Sequence, residues 1–564
     1  MPPPTRPKTA GVLCPVFALR APDDLGIGDT ASVRELIDWA ARSGLRLVQL
    51  LPINAIGGDN SPYNAISSVA LEPLTLDLRP SRLPDLLPAD SEQILARYDL
   101  EALRSRPVQY DHVRALKNAL LTQAFETLTA SASERRAAFD AFCTAESSWL
   151  PDFCLFRVLM EEHGHEDWTS WSDDFNTAAK ARDWLAQRLD STQHRLDFHA
   201  YTQWLAYQQW EEVRDYARSV GVKLMGDAPF GINYCSADVF FHPEQFILDW
   251  CGGAPPETYF KDDLFVQKWG QNWGIPLYDW PTMKADGYAW WRQRIQKLCI
   301  VFDVFRIDHV LGFYRIYSFP WRPQRNAEFL PLTPEEAADL TDGRLPHFIE
   351  HDDESDESKA ANLAQGDLYL RMILDAAGGS EVIAEDLGTV PDYVRPHLLS
   401  LDIPGFKISH WEDDGNGHAV QGKDYPECSF TTYATHDHQP MKTHWDQRCR
   451  EADSQAEETR AMANRELRFL TEFAHLWERE GHWTPYNDGI RRALLEGLFA
   501  SNSRYAVFMI TDLFGMEDRF NVPGIAGAMN WSARLTMTVP DLSTVSPYAE
   551  ETDWLRQSLL AHQR

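Results

Sequence analysis

Residues 11–53, GVLCPVFALRAPDDLGIGDTASVRELIDWAARSGLRLVQLLPI, alternate between apolar runs and an amphipathic segment. The runs at residues 11–19 and 45–53 predict two buried strands. Between them, the apolar positions recur at the spacing of one buried helix face, namely Val33, Leu36, Ile37, Ala40 and Ala41. Strand, helix and strand in this order predict a βαβ unit, in which the two strands are parallel.

The helix of this unit carries signals for both of its ends. Ser32 and Glu35 fit a capping box at the start, and Asp29 is the alternative cap. Gly44 follows the last apolar position and is typical of a helix end. The end signals and the apolar spacing therefore predict the same helix.

Six further apolar runs predict strands, at residues 222–226, 299–307, 381–385, 405–411, 430–436 and 504–511. Together with the first two they make eight strands, separated by helical patterns or long insertions. This alternation favours a closed (β/α)8 TIM barrel over an open doubly wound sheet. We expect one catalytic barrel domain over residues 1–564, with a mainly helical inserted subdomain at residues 80–196.

The composition argues against several classes of partner. The 84 acidic residues outnumber the 53 basic ones, which gives a formal net charge of −31, and no basic stripe offers a surface for nucleic acid. No apolar run approaches the length of a membrane span, and the N-terminus does not resemble a signal peptide. The eight cysteines include no CxxC pair, which is typical of a reduced cytosolic protein. We therefore expect a cytoplasmic enzyme.

Four of the predicted strands end in carboxylates. In a TIM barrel the residues that end the strands line the active-site face, so these side chains should converge. Acids that converge at one mouth repel one another, which favours a catalytic purpose over a structural one. The polar residues at these four ends are Asp227; Arg306, Asp308 and His309; Glu385 and Asp386; and His436, Asp437 and His438.

This set of residues suits glycoside chemistry. A retaining mechanism needs one ionised carboxylate as nucleophile and one protonated carboxyl as acid and base. Arg306 lies two residues before Asp308, on the same side of the strand, and would keep Asp308 ionised. Glu385 would acquire a raised pKa from burial beside the other acids. The aromatic content of 12% also suits sugar binding, although large cores use the same residues.

The same segments resemble those of a known family. RIDHVLGF (306–313), VIAEDLGTV (382–390) and YATHDH (433–438) are similar to the catalytic segments of the 4-alpha-glucanotransferases. These are the amylomaltases or disproportionating enzymes of glycoside hydrolase family 77. Further matching motifs run in order along the chain, including SPYNAISSVALEP (61–73), GAPPETYF (253–260), GQNWGIPLYDW (270–280) and FNVPGIAGAMNW (520–531).

The resemblance implies a role for each of three acids. Asp308 matches the nucleophile and Glu385 the acid/base. Asp437 matches the carboxylate that binds substrate hydroxyls and stabilises the transition state. The implied reaction transfers α-1,4-glucan segments between malto-oligosaccharides through a covalent glucosyl-enzyme, and it requires neither a metal nor a cofactor.

The resemblance also implies which residues bind the sugar. Those at the subsite of cleavage are Tyr63, Asp227, Arg306, His309 and His436. Those on a substrate-covering loop region at residues 250–285 are Tyr259, Gln271 and Trp273. Asn521 matches a substrate-contacting segment near the C-terminus. The implied ligands are malto-oligosaccharides and other α-glucans.

The sequence departs from the family pattern in three places. Residues 438–441, His-Gln-Pro-Met, stand where the family usually has Asn and then Asp-Thr; residues 261–269 are extra; and Ile525 stands where Thr is common. None of these changes touches the three acids. They bear on the acceptor side and on the preferred length of the glucan.

Three other functions remain open. The spacing of His436 and His438 is an HxH pattern, which would suit zinc in a metal-dependent hydrolase. A second alternative is a glucan-binding protein without activity. The third is an α-1,4-glucan hydrolase of the α-amylase type, which needs the same acids. It differs only in whether water or a sugar hydroxyl reaches the intermediate.

Overall fold

The computed structural model describes residues 6–130, 132–257, 263–476, 482–523 and 530–564. Strands and α-helices are numbered along the chain. The strands are β1 (Thr9–Leu13), β2 (Leu47–Gln49), β3 (Lys223–Ala228), β4 (Phe246–Ala254), β5 (Gln271–Tyr278), β6 (Val304–Ile307), β7 (Ile316–Phe319), β8 (His347–Ile349), β9 (Glu381–Ala384), β10 (Gly405–Ile408), β11 (Ser429–Thr432) and β12 (Tyr505–Met509).

The α-helices are interspersed among these strands. They are α1 (Thr30–Ser43), α2 (Pro88–Leu95), α3 (Leu100–Arg104), α4 (Tyr110–Thr129), α5 (Glu134–Ala145), α6 (Leu150–His163), α7 (Ala178–Ala186), α8 (Leu189–Ser219), α9 (Ala237–Phe241), α10 (Leu264–Trp269), α11 (Trp280–Ala285), α12 (Ala289–Val301), α13 (Asn326–Phe329), α14 (Pro334–Asp339), α15 (Asp356–Ala377), α16 (Val394–Ser400), α17 (Met441–Glu451), α18 (Glu457–Phe473), α19 (Asp488–Ala500), α20 (Ile510–Leu513), α21 (Asp541–Thr544) and α22 (Tyr548–Ala561). In the described part of the chain, none of them is long and apolar enough to cross a membrane.

Eight parallel strands close into a barrel in the order β1-β2-β3-β6-β9-β10-β11-β12, and β12 pairs with β1. The order around the barrel is therefore the order along the chain, as in a TIM barrel. The predicted (β/α)8 fold is confirmed. Its interior is filled by apolar side chains from all eight strands or their immediate extensions, among them Leu13, Leu47, Met225, Val304, Ile383, Phe406, Phe430 and Val507.

The first βαβ unit shows how the local sequence fixes an element. Helix α1 spans the predicted segment and ends at Gly44, whose φ of 90° lies in the left-handed region that glycine tolerates. The cap differs from the predicted Ser32–Glu35 box. Asp29 is the N-cap, its side chain accepts from the backbone N–H groups of Ala31 and Ser32, and Ser32 completes the box.

The apolar run at residues 299–307 divides between two elements. Its first part completes α12, which ends at Val301, and the strand begins only at Val304. The predicted strand was too long because a short apolar run does not distinguish a buried helix end from a buried strand. Asp303 marks the break, where its Oδ1 accepts from Arg214 and Arg218 of α8 at 3.2 Å and 2.6 Å.

A second sheet, which the strand pattern did not predict, has the antiparallel order β5-β4-β7-β8. Strands β4 and β5 are inserted between β3 and β6, and β7 and β8 between β6 and β9. The region at residues 250–285, predicted to cover the substrate, thus consists largely of strand and helix rather than loop. Residues 258–262, which include Tyr259, lie outside the described residues.

Helices α2–α8 occupy the long connection between β2 and β3. Helix α8 has 31 residues, and every residue from His199 to Tyr207 is buried. Gln203 of α8 accepts from the backbone N–H of Leu71 and donates to its carbonyl oxygen, and Tyr207 donates to the carbonyl oxygen of Val69. The helical region therefore holds the segment that carries Tyr63 onto the barrel.

Candidate active site

The carboxyl ends of four barrel strands bring the predicted acids to one mouth. Asp227 is the next-to-last residue of β3, and Asp308 follows β6 directly. Glu385 follows β9 directly, and His436 and Asp437 lie a few residues beyond β11. Parallel strands direct these ends to the same side of the barrel, so the eight-strand pattern assembles residues that are far apart in the chain.

The strand register places Asp308 and Glu385 side by side. Ile307 pairs with Ala384 in the β6–β9 ladder, so the two acids occupy the next position on neighbouring strands. The backbone N–H of Glu385 donates to the carbonyl oxygen of Ile307 at 2.9 Å, which continues the ladder. Neighbouring strands lie about 4.8 Å apart. Both carboxyl groups therefore project from adjacent points of the barrel rim.

Arg306 joins Asp308 to Asp227. Its Nη2 lies 2.5 Å from Oδ1 of Asp308, and its Nε lies 2.9 Å from Oδ2 of Asp227. The hydroxyl of Tyr63 accepts from Arg306 at 3.3 Å and donates to Oδ2 of Asp227 at 2.6 Å. Burial raises the pKa of Asp308 to about 6, and the guanidinium of Arg306 opposes a larger rise. Asp308 is thus ionised at neutral pH.

Glu385 has the opposite protonation state. Burial and then the negative charge of Asp308 raise the pKa of Glu385 to about 8, against the opposing effect of Arg306. The backbone N–H of His309 donates to Oε2 of Glu385 at 2.8 Å. Because Oε2 is engaged as an acceptor, the carboxyl proton belongs on Oε1. Glu385 is therefore a protonated acid at neutral pH, beside an ionised one.

Asp437 is held as a carboxylate. Its Oδ1 accepts from the side-chain amide of Asn521 at 2.6 Å and lies 3.2 Å from Nε2 of His436. Burial alone would raise the pKa of Asp437, but His436, Asn521 and Arg306 outweigh it and hold the pKa below its ordinary value. Arg519 donates to the backbone carbonyl oxygen of Asp437 and to that of Asn521.

An aromatic wall stands behind these acids. The rings of Tyr63 and His436 are stacked, with centroids 4.9 Å apart and an interplanar angle of 9°. Trp531 packs against both rings at 5.8 Å. Trp531 and Arg519 thus contact residues of the site, although the motifs did not predict them. Trp531 ends the matched motif FNVPGIAGAMNW, which was the available signal.

A cavity of about 200 Å³ opens beside Glu385 between the barrel and the antiparallel sheet. Gln271 and Trp273 lie on the same face of β5, and Trp273 donates from Nε1 to Oε1 of Gln271 at 3.2 Å. Trp273 also packs edge-on against His309, with ring centroids 4.7 Å apart. Burial lowers the pKa of His309 to about 4, so its ring is neutral. Other residues lining the cavity are Arg315, Tyr317, Phe348 and Thr389.

The HxH pair does not gather further metal-binding side chains. His436 is taken up by Tyr63 and Asp437, whereas Nδ1 of His438 accepts from the backbone N–H of Thr435 at 3.2 Å. Within the described residues, no three His, Cys, Asp or Glu side chains are grouped so as to hold a metal ion. Asp386, next to Glu385, accepts instead from the backbone N–H of Phe406 and pairs with Arg395.

The model of glycoside hydrolase family 77, described as 4-alpha-glucanotransferase, matches residues 14–538. The chain belongs to this family. The 4-alpha-glucanotransferase of Chlamydia muridarum is 27% identical over 549 residues, which cover 96% of this chain and 94% of that protein. The chloroplastic/amyloplastic 4-alpha-glucanotransferase of Solanum tuberosum is 28% identical over 584 residues, covering 99% and 86%.

Solved structures of amylomaltases have the same fold. The amylomaltase from Streptococcus agalactiae, in complex with acarbose, superposes with a TM-score of 0.76 at 22% identity, and 99% of each chain is covered. The amylomaltase from Corynebacterium glutamicum gives a TM-score of 0.74 at 22% identity, over 98% of this chain and 75% of that one. The predicted resemblance to the 4-alpha-glucanotransferases is confirmed. The protein is accordingly an enzyme of the glycosyl-transferring type that acts on α-glucans.

Proposed function

We propose that this 4-alpha-glucanotransferase moves α-1,4-glucan segments between malto-oligosaccharides by a retaining double displacement. The observation that carries the proposal is the pair of neighbouring carboxyls in opposite protonation states. Asp308, paired with Arg306, is ionised, whereas Glu385 is protonated. A retaining glycosidase mechanism requires this pairing of a nucleophile and an acid.

In the first step, a carboxylate oxygen of Asp308 bonds to C1 of the donor glucose unit while the bond from C1 to the glycosidic oxygen breaks. Glu385 gives the proton on Oε1 to the departing oxygen, so the leaving glucan departs as an alcohol. Asp437 remains ionised beside His436 and accepts hydrogen bonds from sugar hydroxyls. Its negative charge also stabilises the positive charge that develops on the ring in the transition state.

In the second step, Glu385 acts as a base. It takes the proton of an acceptor hydroxyl while the acceptor oxygen bonds to C1 and the bond to Asp308 breaks. Transfer rather than hydrolysis requires an acceptor held close to the intermediate and a site that excludes water. The cavity beside Glu385, with Trp273 and Gln271 on its wall, supports this choice over the α-amylase type of hydrolase.

The remaining residues predicted from the sequence also have proposed roles in the site. We propose that Tyr63, Asp227, Arg306, His309 and His436 form the subsite of cleavage, and that Asn521 acts through Asp437, which it contacts. Tyr259, outside the described residues, remains a predicted contact of the covering region. We also propose that residues 80–196 form an inserted subdomain of a single catalytic domain.

The test uses purified protein and pure maltotriose. A transferase yields glucose together with maltopentaose and longer chains, with little net gain in reducing ends. Asp308→Asn should lower kcat by several orders of magnitude with an unchanged circular dichroism spectrum, because the nucleophile is lost. In the parent enzyme, mass spectrometry of a trapped glucosyl adduct should locate it on Asp308. If the products were only shorter sugars, with reducing ends rising as maltotriose disappears, the enzyme would be a hydrolase rather than a transferase.

A further inference from the structure

Two tryptophans at the barrel mouth are unusually exposed. Among the described residues, the exposed large hydrophobic side chains are aliphatic except for Trp273 and Trp411, each with 39% of its surface accessible. Trp273 faces the cavity described above. Trp411 lies on the connection between β10 and β11, and it is not among the residues that line this cavity. Its exposure is therefore unexplained by the acceptor cavity.

Packing from one side fixes the position of Trp411. The backbone N–H of Trp411 donates to the carbonyl oxygen of Ile408 at 2.9 Å, which forms a turn at the end of β10. Its ring lies 5.6 Å from that of the buried His410 and 5.4 Å from that of His438. His410 in turn contacts His444 of α17 at 5.1 Å. The indole is thus held against these two histidine rings, and 39% of its surface remains exposed.

The ring of His438 has one fixed hydrogen-bond donor. Its Nδ1 accepts from the backbone N–H of Thr435 at 3.2 Å and lies 3.0 Å from the Thr435 hydroxyl oxygen. A neutral imidazole with Nδ1 as acceptor carries its proton on Nε2. Burial lowers the pKa of His438 to about 4, so the ring is neutral at pH 7. Among the described residues, none is hydrogen-bonded to Nε2, and that atom is not buried.

His438 immediately follows Asp437, and it stands where the family usually has Asn. The two side chains therefore leave the backbone at adjacent Cα atoms, about 3.8 Å apart, and the charge of Asp437 acts on the ring of His438. A glucose unit offers an apolar C–H face and hydroxyl groups. These are the two features that an indole face and a fixed N–H donor recognise.

We propose that Trp411 and His438 form a further glucose-binding subsite on the Asp437 side of the point of cleavage. The indole face of Trp411 packs on the C–H face of one glucose unit of an α-1,4-glucan. The Nε2–H of His438 donates to a hydroxyl of the same unit. This inference rests on the proposed function and extends it to a part of the glucan that the cavity beside Glu385 does not hold.

The test measures binding without turnover, in a Glu385→Gln background, by calorimetric titration with maltoheptaose. Trp411→Ala should raise the dissociation constant about fivefold, the loss expected for one stacking contact, and Trp411→Phe should raise it less. His438→Ala should weaken binding by a similar factor. His438→Gln should restore much of it, because its side-chain amide N–H reaches the position of Nε2–H.

A matched control is Trp554→Ala, which removes another partly exposed tryptophan, on α22 of the outer helical layer. This variant should bind maltoheptaose as tightly as the background. If Trp411→Ala and His438→Ala also bound as tightly as the background, the subsite would be wrong and the proposed function would stand. If the Glu385→Gln background did not bind maltoheptaose, the proposed function itself would fail.

Discussion

The backbone N–H of His309 selects the oxygen of Glu385 that can donate a proton. His309 has a φ of 48°, in the left-handed region that residues with a Cβ rarely adopt. This conformation costs about 1 kcal/mol and is held in place by the bond to Oε2 of Glu385 at 2.8 Å. The backbone and the acid are thus locked together, and Oε1 is left as the proton-carrying atom.

The first residue-scale prediction concerns Glu385. The pKa values of about 6 for Asp308 and about 8 for Glu385 predict a bell-shaped profile of kcat/KM between these limits. Activity falls at low pH as Asp308 gains a proton, and at high pH as Glu385 loses one. Glu385→Gln, assayed with an α-maltosyl fluoride whose leaving group needs no proton, should lose the alkaline limb.

Asp386→Asn is the matched control for this prediction. Asp386 accepts from the backbone N–H of Phe406 and from Arg395, and its negative charge is a minor cause of the raised pKa of Glu385. Its variant should therefore keep the alkaline limb of the parent enzyme, moved to slightly lower pH. If the limb survived in Glu385→Gln and vanished in Asp386→Asn, the acid role would pass to Asp386.

The second residue-scale prediction concerns Asn521. Asn521→Ala removes a hydrogen bond to the charged Asp437 and should lower kcat/KM about tenfold, the equivalent of about 1.4 kcal/mol. The limbs of the pH profile should stay in place, because they belong to Asp308 and Glu385. Asn521→Asp puts a like charge beside Asp437 and raises the pKa of that carboxylate, so the loss of kcat/KM should be larger than in Asn521→Ala.

Asn502→Ala serves as the control, since its side-chain amide donates to the carbonyl oxygen of Tyr425, far from the acids. It should leave kcat/KM unchanged. If the parent enzyme and the variants Asn521→Ala and Asn521→Asp had equal kcat/KM, Asn521 would have no role in the site.

At the scale of elements, the antiparallel sheet supplies one wall of the acceptor side. Strands β4 and β5 pair with register irregularities between Ile247 and Cys251 and between Gly252 and Gly253. Such bulges change the direction of a strand and re-aim its side chains. Gln271 and Trp273, on one face of β5, consequently lie along the cavity beside Glu385.

The element-scale prediction is that Trp273→Ala shifts the enzyme from transfer toward hydrolysis. Loss of the indole opens the acceptor cavity to water, while Asp308, Glu385 and Asp437 keep their positions. The ratio of new reducing ends to maltotriose consumed should therefore rise. Trp250→Ala is the control on the same sheet, because Trp250 packs against His347 rather than lining the cavity. A ratio that rose equally in both variants, or in neither, would contradict the prediction.

At the scale of the whole molecule, the two ends of the barrel have different roles, one in the proposed catalysis and the other in stability. The proposed catalytic acids lie at the carboxyl end, whereas Glu381, the first residue of β9, contacts neighbours at the amino end. Its carboxylate pairs with Arg6 at 2.6 Å and with Lys223 of β3, and it accepts from Tyr505 of β12 at 2.7 Å. These contacts tie together strands from distant parts of the sequence and lower the pKa of Glu381 to about 2 against the effect of burial.

The molecule-scale prediction is that Glu381→Gln lowers the free energy of unfolding at pH 7 by about 2 kcal/mol and leaves activity intact. A group whose pKa is lower in the folded state stabilises the fold above its unfolded pKa of about 4.3. The difference from the parent protein should therefore shrink as the pH falls from about 4 toward 2. Urea unfolding at pH 7 and at about pH 2 measures this difference in the free energy of unfolding. Glu335→Gln, at an exposed position, is the control. A constant difference across this range would refute the ion-pair account.

Much of the barrel could be predicted from local patterns. In the unit at residues 11–53, the apolar spacing, Gly44 as a helix end and the two buried runs all indicated the same order of strand, helix and strand. Errors occurred where a local pattern fits two structures. Residues 299–307 proved to be a helix end and a strand, and of the two predicted caps of α1 the structure selects Asp29. The cytosolic location expected from the cysteines stays a prediction.

By itself, the sequence determined the barrel and the position of Asp308 and Glu385 at its strand ends, with Asp437 a few residues beyond another strand, because strand alternation and the carboxyl ends of parallel strands are set by residue order. Only the tertiary structure decided how burial and neighbouring charges set the pKa of each acid, the N–H of His309 on Glu385, the amide of Asn521 on Asp437 and the antiparallel wall with Trp273. These depend on burial and on distances between residues far apart in the chain. A pKa or a hydrogen bond follows those distances, which no local pattern contains.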